Sequence, residues 1–394
     1  MLVLAYFEFK VTSKVKLISE RQSVFPAVTI CNFNKYRMSA LNGSKFREIV
    51  KYMNPLNGES NVSIDWKKYS DINSVNMTEL VSSIGHKMKY DKETKRGMLY
   101  RCRWKDQPCS DSNFTRILTD MGVCYTFNSG KNGEILNISS PGDSFGLKLT
   151  MSVEQEEYIG HDTLSAGLKM RVHDQNEPPL VSNLGFALMP GSHVFAAISK
   201  TRFVSLKHPY ETKCEDKNLL NVKEYTRAAC YDTCREKFVT KNCSCRAYYM
   251  RDTRFPICNV EKYYRCVIQR EEEFASLPFD DCDCPEPCDV LKYIAYLSSA
   301  KFPSYNSNKL YSNSSKTEFL KFRRNLVAVN IYYEELNYNV IEQVPNFGLE
   351  HLLGALGGLL GLFVGASILT LSEVVDLFLT IVLVRMGIYK LRSH

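Results

Sequence analysis

Short alternations of apolar and polar residues punctuate the middle of the chain, and one long apolar stretch comes near its end. Period-two alternation runs through SFGLKLTMSV (144–153), AGLKMRVHD (166–174), GSHVFAAISKT (191–201) and NLVAVNIYYEELNY (325–338), each bounded by Gly, Pro, Asn or Asp. Successive side chains of a strand point to opposite faces, so these segments predict half-buried strands. Apolar residues at helical spacing in VKEYTRAACYDTCREKF (222–238) and KTEFLKFRRN (316–325) predict helices, with weaker candidates between 43 and 90. The expected fold is α+β, a β core with helices around it.

The apolar stretch is different in kind. Residues Leu352 to Ser372 carry no charged side chain, and at ~1.5 Å per residue they make about 30 Å of helix, the thickness of a bilayer's hydrocarbon core. One membrane crossing is expected there. Arg385, Lys390 and Arg392 follow it while Glu342 and Glu350 precede it, which puts the C-terminal side in the cytoplasm. The opening residues MLVLAYFEFK are also apolar, but Leu2 to Phe9 would give only ~12 Å of helix and cannot cross. With no basic leader and no cleavage site, they read as a remnant of a first transmembrane helix whose upstream half lies outside this chain.

The late span is too polar for a simple anchor. Gly357, Gly361 and Gly365 recur at i, i+4 and i+8, a smooth face on which helices approach closely in lipid, and Ser367, Glu373 and Asp376 follow. A serine and two acids are costly facing lipid and tolerable facing water, so they favour a functional path over a dimerising anchor. GALGGLLG (354–361) superficially resembles a nucleotide-binding turn, but it follows no strand and sits inside the span.

Charge and cysteines narrow the class. The formal charge of +7 is spread without a basic run, which excludes a nucleic-acid face. Fourteen cysteines accompany sequons at Asn42, Asn61, Asn76, Asn113, Asn137, Asn242 and Asn313, a combination that fits an extracellular, disulfide-bonded domain. Cys230 and Cys234 lie about 6 Å apart along one helix face, and Cys282 and Cys284 ~6.6 Å apart on one face of an extended strand. A helix antiparallel to that strand could close two rungs, Cys230–Cys284 and Cys234–Cys282, with Cys214–Cys288 at the base. Cys243, Cys245, Cys258 and Cys266 would pair among themselves at the far end. Zinc is the competing reading, but the expected C-x-x-C pairs and histidine partners are missing. No catalytic signature, metal-ligand histidine spacing or cofactor motif is present. The chain is expected not to be an enzyme and to need no metal or cofactor. A single-pass receptor or adhesion protein would share the disulfides, glycans and span.

Taken together, FPAVTICNFNKYR (25–37), the fourteen-cysteine pattern, NLVAVNIYYEELNYNVIEQ (325–343) and GLFVGASILTLSE (361–373) resemble the degenerin, epithelial sodium channel and acid-sensing ion channel superfamily. EQEEY (154–158) and HDQNEPPLVSNLGF (173–186) place it nearest the acid-sensing branch. The resemblance implies a homo- or heterotrimeric, amiloride-sensitive, sodium-selective channel of the plasma membrane, gated by protons or a peptide. It implies an extracellular domain over 10–348: finger at about 43–140, thumb at about 208–300, knuckle at about 301–325, palm and β-ball strands elsewhere. Residues 1–9 would then be the first-helix remnant, 349–384 the pore-lining second helix and 385–394 a cytoplasmic tail.

The implied disulfides are Cys31–Cys124, Cys102–Cys109, Cys214–Cys288, Cys230–Cys284, Cys234–Cys282, Cys243–Cys266 and Cys245–Cys258. Gly365-Ala366-Ser367 matches the family's selectivity filter, where the resemblance implies that the pore helix breaks, with Gly354, Gly357 and Gly361 along the pore and Glu373 and Asp376 at its inner mouth. Sodium is the permeant ion. Gating residues would be Leu336 and Asn337 in a linker, Tyr210 against Phe7 or Phe9, and Glu177 and Glu272 in an acid-sensing cluster. Ala355 stands where acid-sensing members carry Asp, Lys10 where they carry His, and Asn176 and Ile268 replace acids. The remaining acids Glu271, Glu272, Glu273, Asp280, Asp281 and Asp283 could still trap protons if packed against Glu154, Glu156 and Glu157.

Overall fold

The structure, a computed structural model, describes residues 2–53, 64–94, 96–131, 133–159, 164–278, 281–304, 316–365 and 367–386. The chain divides into two compact units. The larger comprises residues 15–205 and 214–342, the smaller residues 1–14, 206–213 and 343–394.

Fifteen strands lie among the described residues: β1 (Val11–Ile18), β2 (Ser23–Val24), β3 (Ala27–Asn32), β4 (Leu99–Trp104), β5 (Gln107–Pro108), β6 (Phe114–Thr119), β7 (Gly122–Phe127), β8 (Asn137–Ile138), β9 (Leu147–Ser152), β10 (Leu168–His173), β11 (Phe186–Leu188), β12 (Ser192–Val204), β13 (Asp289–Lys301), β14 (Leu326–Tyr333) and β15 (Tyr338–Pro345). An eight-stranded sheet runs β1-β15-β12-β14-β9-β4-β5, with β13 also pairing along β12. A five-stranded sheet runs β11-β10-β3-β7-β6. In β12 buried and half-buried positions alternate through Ile198, the signature of one covered face. The FPAVTICN motif supplies β3, buried at every position between β10 and β7. It therefore reads as a continuous apolar run rather than an alternation. Phe25, Trp104, Phe127 and Tyr333 cluster edge-to-face or tilted beneath these strands, with ring centroids 4.6–6.3 Å apart.

Helices relevant below are α1 (Leu2–Phe7), α2 (Phe46–Met53), α3 (Met77–Ile84), α4 (Arg227–Cys243), α5 (Gln269–Ala275), α6 (Lys316–Asn325), α7 (Leu349–Val364) and α8 (Ile368–Arg385). The helix expected at 222–238 begins only at Arg227, because the Thr226 hydroxyl accepts the Ala229 N–H and caps it there. The 325–338 alternation is not one strand, since β14 ends at Tyr333 and β15 starts at Tyr338. The helix candidates between 43 and 90 include α2 and α3, after which Leu99 to Ile138 form strands β4 to β8.

All seven disulfides pair as the resemblance implies: Cys31–Cys124, Cys102–Cys109, Cys214–Cys288, Cys230–Cys284, Cys234–Cys282, Cys243–Cys266 and Cys245–Cys258. The two rungs from α4 span Cα–Cα distances of 5.8 and 6.1 Å. The partner of α4 corrects the expectation in one respect. Residues 282–288 belong to no strand ladder, so the rungs themselves, with the Tyr225 hydroxyl donating to the Pro285 carbonyl at 2.7 Å, fix that segment.

In the smaller unit the apolar stretch breaks at the place the resemblance implies, and α7 and α8 are separate helices of 16 and 18 residues. No helix of the described residues is long and apolar enough to cross a membrane by itself. Lys390 and Arg392 lie outside the described residues, as do Asn61, Asn313, Asp280 and Ala366. The sequon asparagines Asn42, Asn76, Asn113, Asn137 and Asn242 are exposed.

Candidate pore segment and gating elements

The break between α7 and α8 follows from local chemistry. Gly365 adopts the left-handed conformation at φ 68°, and its N–H turns back to the carbonyls of Gly361 and Leu360. An L side chain there pays for a close approach of Cβ to the following carbonyl, which glycine avoids. Ser367 then restarts the helix through a reciprocal cap. Its hydroxyl accepts the Thr370 N–H at 3.3 Å, while its own N–H donates to the Thr370 hydroxyl at 2.6 Å. Gly365 and Ser367 thus lie at a genuine interruption: the Ser367 N–H leaves the helical ladder for the Thr370 hydroxyl, while the Ser367 carbonyl accepts the Leu371 N–H at 3.0 Å and opens the next helix.

On either side the helices are apolar and largely bare. Leu353, Leu362, Phe363, Leu369, Val374, Leu377 and Phe378 are each more than 60% exposed, although water should exclude them. A Cβ added at Gly354 or Gly357 would meet nothing within 4 Å, so these positions are open to an approaching surface. Gly361 is exposed in the same helix, and Ala355 is half-buried. Glu373 and Asp376, three residues apart and exposed, share a face of α8.

Leu336 and Asn337 occupy a second interruption, in the larger unit. β14 and β15 both run parallel to β12. Tyr333 faces Ile198 and Asn339 faces Thr201, so six residues of advance on one side (339 − 333) accompany three on the other (201 − 198). The excess is a step out of the ladder containing Leu336, packed against the main core, and the exposed Asn337. Opposite the step, the buried Lys200 ammonium donates to Glu20 Oε2 at 2.5 Å and Ser23 Oγ at 2.8 Å, and lies 4.2 Å from the Tyr338 ring centroid. Sequence reasoning missed this lysine, whose only signal was a cation at an inward position of a strand.

Within the smaller unit Tyr210 meets Phe9 edge-to-face at 5.7 Å, and Phe9 in turn meets Phe7 and Tyr6. Gln343 Oε1 accepts the Leu206 N–H at 3.1 Å and the Thr212 hydroxyl at 2.7 Å, and the Asn346 N–H donates to the Lys10 carbonyl at 2.9 Å. These bonds tie the segment around Tyr210 and the residues after α1 to the strand leading into α7. The exposed Lys10 pairs with Glu8 at 2.7 Å.

The expected acid cluster is not assembled. Glu154 is buried against His86 at 2.7 Å and accepts the Gly97 N–H at 2.6 Å; the His86 contact opposes the upward push of burial and leaves its carboxyl below the usual range. Glu157 accepts the Ser39 N–H at 2.8 Å, and Glu156 the Asn325 amide at 2.7 Å. These are structural anchors, occupied away from α5. On α5, Glu271 accepts the Tyr249 hydroxyl at 2.8 Å, Glu272 is exposed, and Glu273 pairs with Arg270. Asp281 is exposed and Asp283 pairs with Lys217, while Ile268 packs on the core.

Other carboxyls hold the shifted protons. Burial raises Glu236 to about 7, with Asp232 adding to it and Arg251 opposing. Burial also raises Glu224 to about 7, helped by the charge of Asp174 and a hydrogen bond to it. Glu177 pairs with Arg171 and lines a cavity of 520 Å³ whose wall includes Asp120, Asn176, Asp232, Arg235, Glu236 and Arg251. A signal for Glu236 did exist. Ala229, Asp232, Glu236, Val239 and Cys243 fall at the three- and four-residue spacing of the buried stripe of α4, so two acids sit where apolar residues belong.

These features define a class: a disulfide-rich α+β protein that carries an interrupted pair of exposed, apolar helices. A sequence model of the amiloride-sensitive sodium channel family matches residues 1–377, and the chain belongs to that family. Human acid-sensing ion channel 2 is 30% identical over 395 residues, covering 94% of this chain and 75% of that protein. Acid-sensing ion channel 1C of Danio rerio is 31% identical over 395 residues, covering 94% and 73%. Acid-sensing ion channel 1 of Gallus gallus is 29% identical over 394 residues, again covering 94% and 73%. A solved proton-activated chloride channel aligns at 6% identity over 91% of this chain and 81% of its own, with a TM-score of 0.32, too low to bear on the fold. The family is one of ion channels, and the chain is not an enzyme.

Proposed function

We propose that the chain is a subunit of a trimeric, sodium-selective, amiloride-sensitive cation channel of the plasma membrane. The observation that carries this reading is the capped helix break at Gly365 and Ser367 between two apolar, exposed helices. Non-helical backbone at membrane depth is tolerated only where it lines a cavity. One copy cannot enclose a path, and the open face at Gly354, Gly357 and Gly361 suits close approach of further copies or related subunits. Three such breaks would bring backbone carbonyls at the turn after α7 to a sodium ion and replace part of its hydration shell. Glu373 and Asp376 would raise local cation concentration at the inner mouth. Lipid covers the remaining leucines and phenylalanines.

The stimulus we favour is extracellular acid over a peptide. Its support is the pair of carboxyls, Glu224 and Glu236, raised to about 7, where a modest fall in pH changes their charge. Motion of the thumb, at about 208–300, would reach the pore through the Phe9–Tyr210 contact, the step at Leu336–Asn337 and β15. Whole-cell recording from cells expressing the subunit tests this. Steps from pH 8 to 6 should open an amiloride-blocked sodium current, and Gly354→Phe should give a standing one. A surface-expressed protein that stays silent to acid but opens to a peptide would replace the stimulus, and one that passes no ions at all would leave the receptor or adhesion reading.

A further inference from the structure

We infer that three copies of His351, one from each subunit, form a binding site for a transition-metal dication such as zinc at the outer mouth of the pore. The inference rests on the trimeric channel proposed above and adds the chemistry of its mouth. Glu350 and His351 are the only residues of α7 whose side chains can bind a cation. Both are exposed, and neither side chain makes a hydrogen bond or ion pair among the described residues. The imidazole leans on Phe347, with ring centroids 6.2 Å apart, which limits how far it can turn.

The helix itself shows on which side His351 stands. Leu352 is buried, and Ala355 and Leu356, three and four residues on, are half-buried, so one side of α7 is covered by its own chain. The other side is open, since a Cβ added at Gly354, Gly357 or Gly358 would meet nothing within 4 Å. His351 belongs to this open side, three residues before Gly354 and seven before Gly358, and Gly365 follows after seven more. A seven-residue interval returns to the same face within about 20°, so the imidazole and the turn at Gly365 share one stripe. On the trimeric reading that stripe surrounds the ion path. The glycines let three helices approach closely, which shortens the reach each imidazole needs to meet the others at the axis.

No single chain offers such a site, because among the described residues no three His, Cys, Asp or Glu side chains are grouped to hold a metal. Three neutral imidazoles with a fourth position left to water make a zinc-binding set, with zinc–nitrogen bonds of about 2.0–2.1 Å. Imidazole nitrogen suits zinc, copper and nickel, whereas calcium and magnesium take oxygen ligands. Sodium is a hard cation like the latter pair, so the nitrogens hold zinc in preference to the permeant ion. Ala355, one turn on, adds no oxygen ligand. Glu350 places a carboxylate beside each ring and draws cations to the mouth. A dication held there occupies the path and repels sodium, so zinc applied from outside blocks the current.

Zinc is the probe, added to the full-length subunit purified in detergent without a histidine tag, with the particle mass measured on the same sample. After dialysis we expect about one zinc per three chains, absent from His351→Gln. In cells expressing the subunit, block of the sodium current by extracellular zinc should weaken by about tenfold or more in that variant. His351→Cys keeps a ligand in place and should trade zinc for tighter cadmium, which guards against a Gln variant that merely misfolds. A trimer that retains the same zinc without His351, a zinc for every chain, or a current equally sensitive in wild type and His351→Gln would each overturn the site and leave the channel reading standing. A trimer that holds the zinc but passes no sodium would overturn the channel reading and spare the site. A particle that is not a trimer would remove both.

Discussion

Two regions of this molecule handle an exposed apolar or extended segment in opposite ways. Beside α4, residues 282–288 have no ladder to join, and disulfides at Cys282, Cys284 and Cys288 hold them from within the chain. In α7 and α8 most of the apolar side chains stay bare among the described residues, Leu352 being buried. The first region is complete as a single copy. On the function proposed above the second needs lipid and further subunits, so the same sequence would encode one self-sufficient domain and one defined by its surroundings.

Breaking the covalent side of that comparison should have the largest effect. Replacing Cys230 and Cys284 by serine removes one rung while Cys234–Cys282 stays closed, so the loop released is only about six residues and the chain-entropy account puts the loss at about 2 kcal/mol. Thermal unfolding of purified protein and surface biotinylation should both register it, and an unchanged melting temperature would show that the α4 segment is held by packing alone.

The interruption in the other region is worth less in stability and more in function. Gly365→Val places a β-branched residue at φ 68°, a strain of about 1–2 kcal/mol. Relief by straightening the helix should abolish sodium selectivity, read as a shift in reversal potential under mixed sodium and potassium. Smaller still, Phe9→Leu removes an aromatic pair worth about 0.5–1.5 kcal/mol. It should slow or weaken opening without changing selectivity, and a change in selectivity instead would place Phe9 in the permeation path.

The smallest expected effect is a pH slope. Burial raises Glu236 in the folded protein to about 7, above the ordinary carboxyl value of 4.5, so the folded state binds the proton more tightly than the unfolded one. Its favourable contribution is full below about 4.5 and is lost as pH rises through about 7. Glu236→Gln should flatten melting temperature against pH across that window, and a variant with the wild-type slope would move the titration to Glu224.

Much of this was legible in the sequence because the governing interactions are local or covalent. The i, i+4 cysteines of α4 and the i, i+2 cysteines of its partner specify two rungs by spacing, and the S-x-x-T run from Ser367 to Thr370 is a helix-start signal embedded in a span. Hydropathy alone reads that span as one crossing, since it averages over the very residues that cap it, and the break at Gly365-Ala366-Ser367 was legible only through the family resemblance. The step at Leu336–Asn337 was visible as a position but not as a register excess, which depends on β12 more than a hundred residues earlier. Acids expected to gather did not, because Glu154 and Glu157 are consumed by His86 and backbone N–H groups that no spacing announces. Arg251 joins Asp232 and Glu236 only through the turn after Cys245, and sequence distance gave no hint of it.

The most direct test concerns water at the break. All fourteen cysteines are in disulfides, so Ser367→Cys introduces a single reactive thiol. A charged methanethiosulfonate applied from the aqueous phase should modify it and block the current within seconds, while Leu369→Cys, predicted to face lipid, should stay unmodified. A thiol at 367 that no aqueous reagent reaches, in a channel that still conducts, would contradict the account.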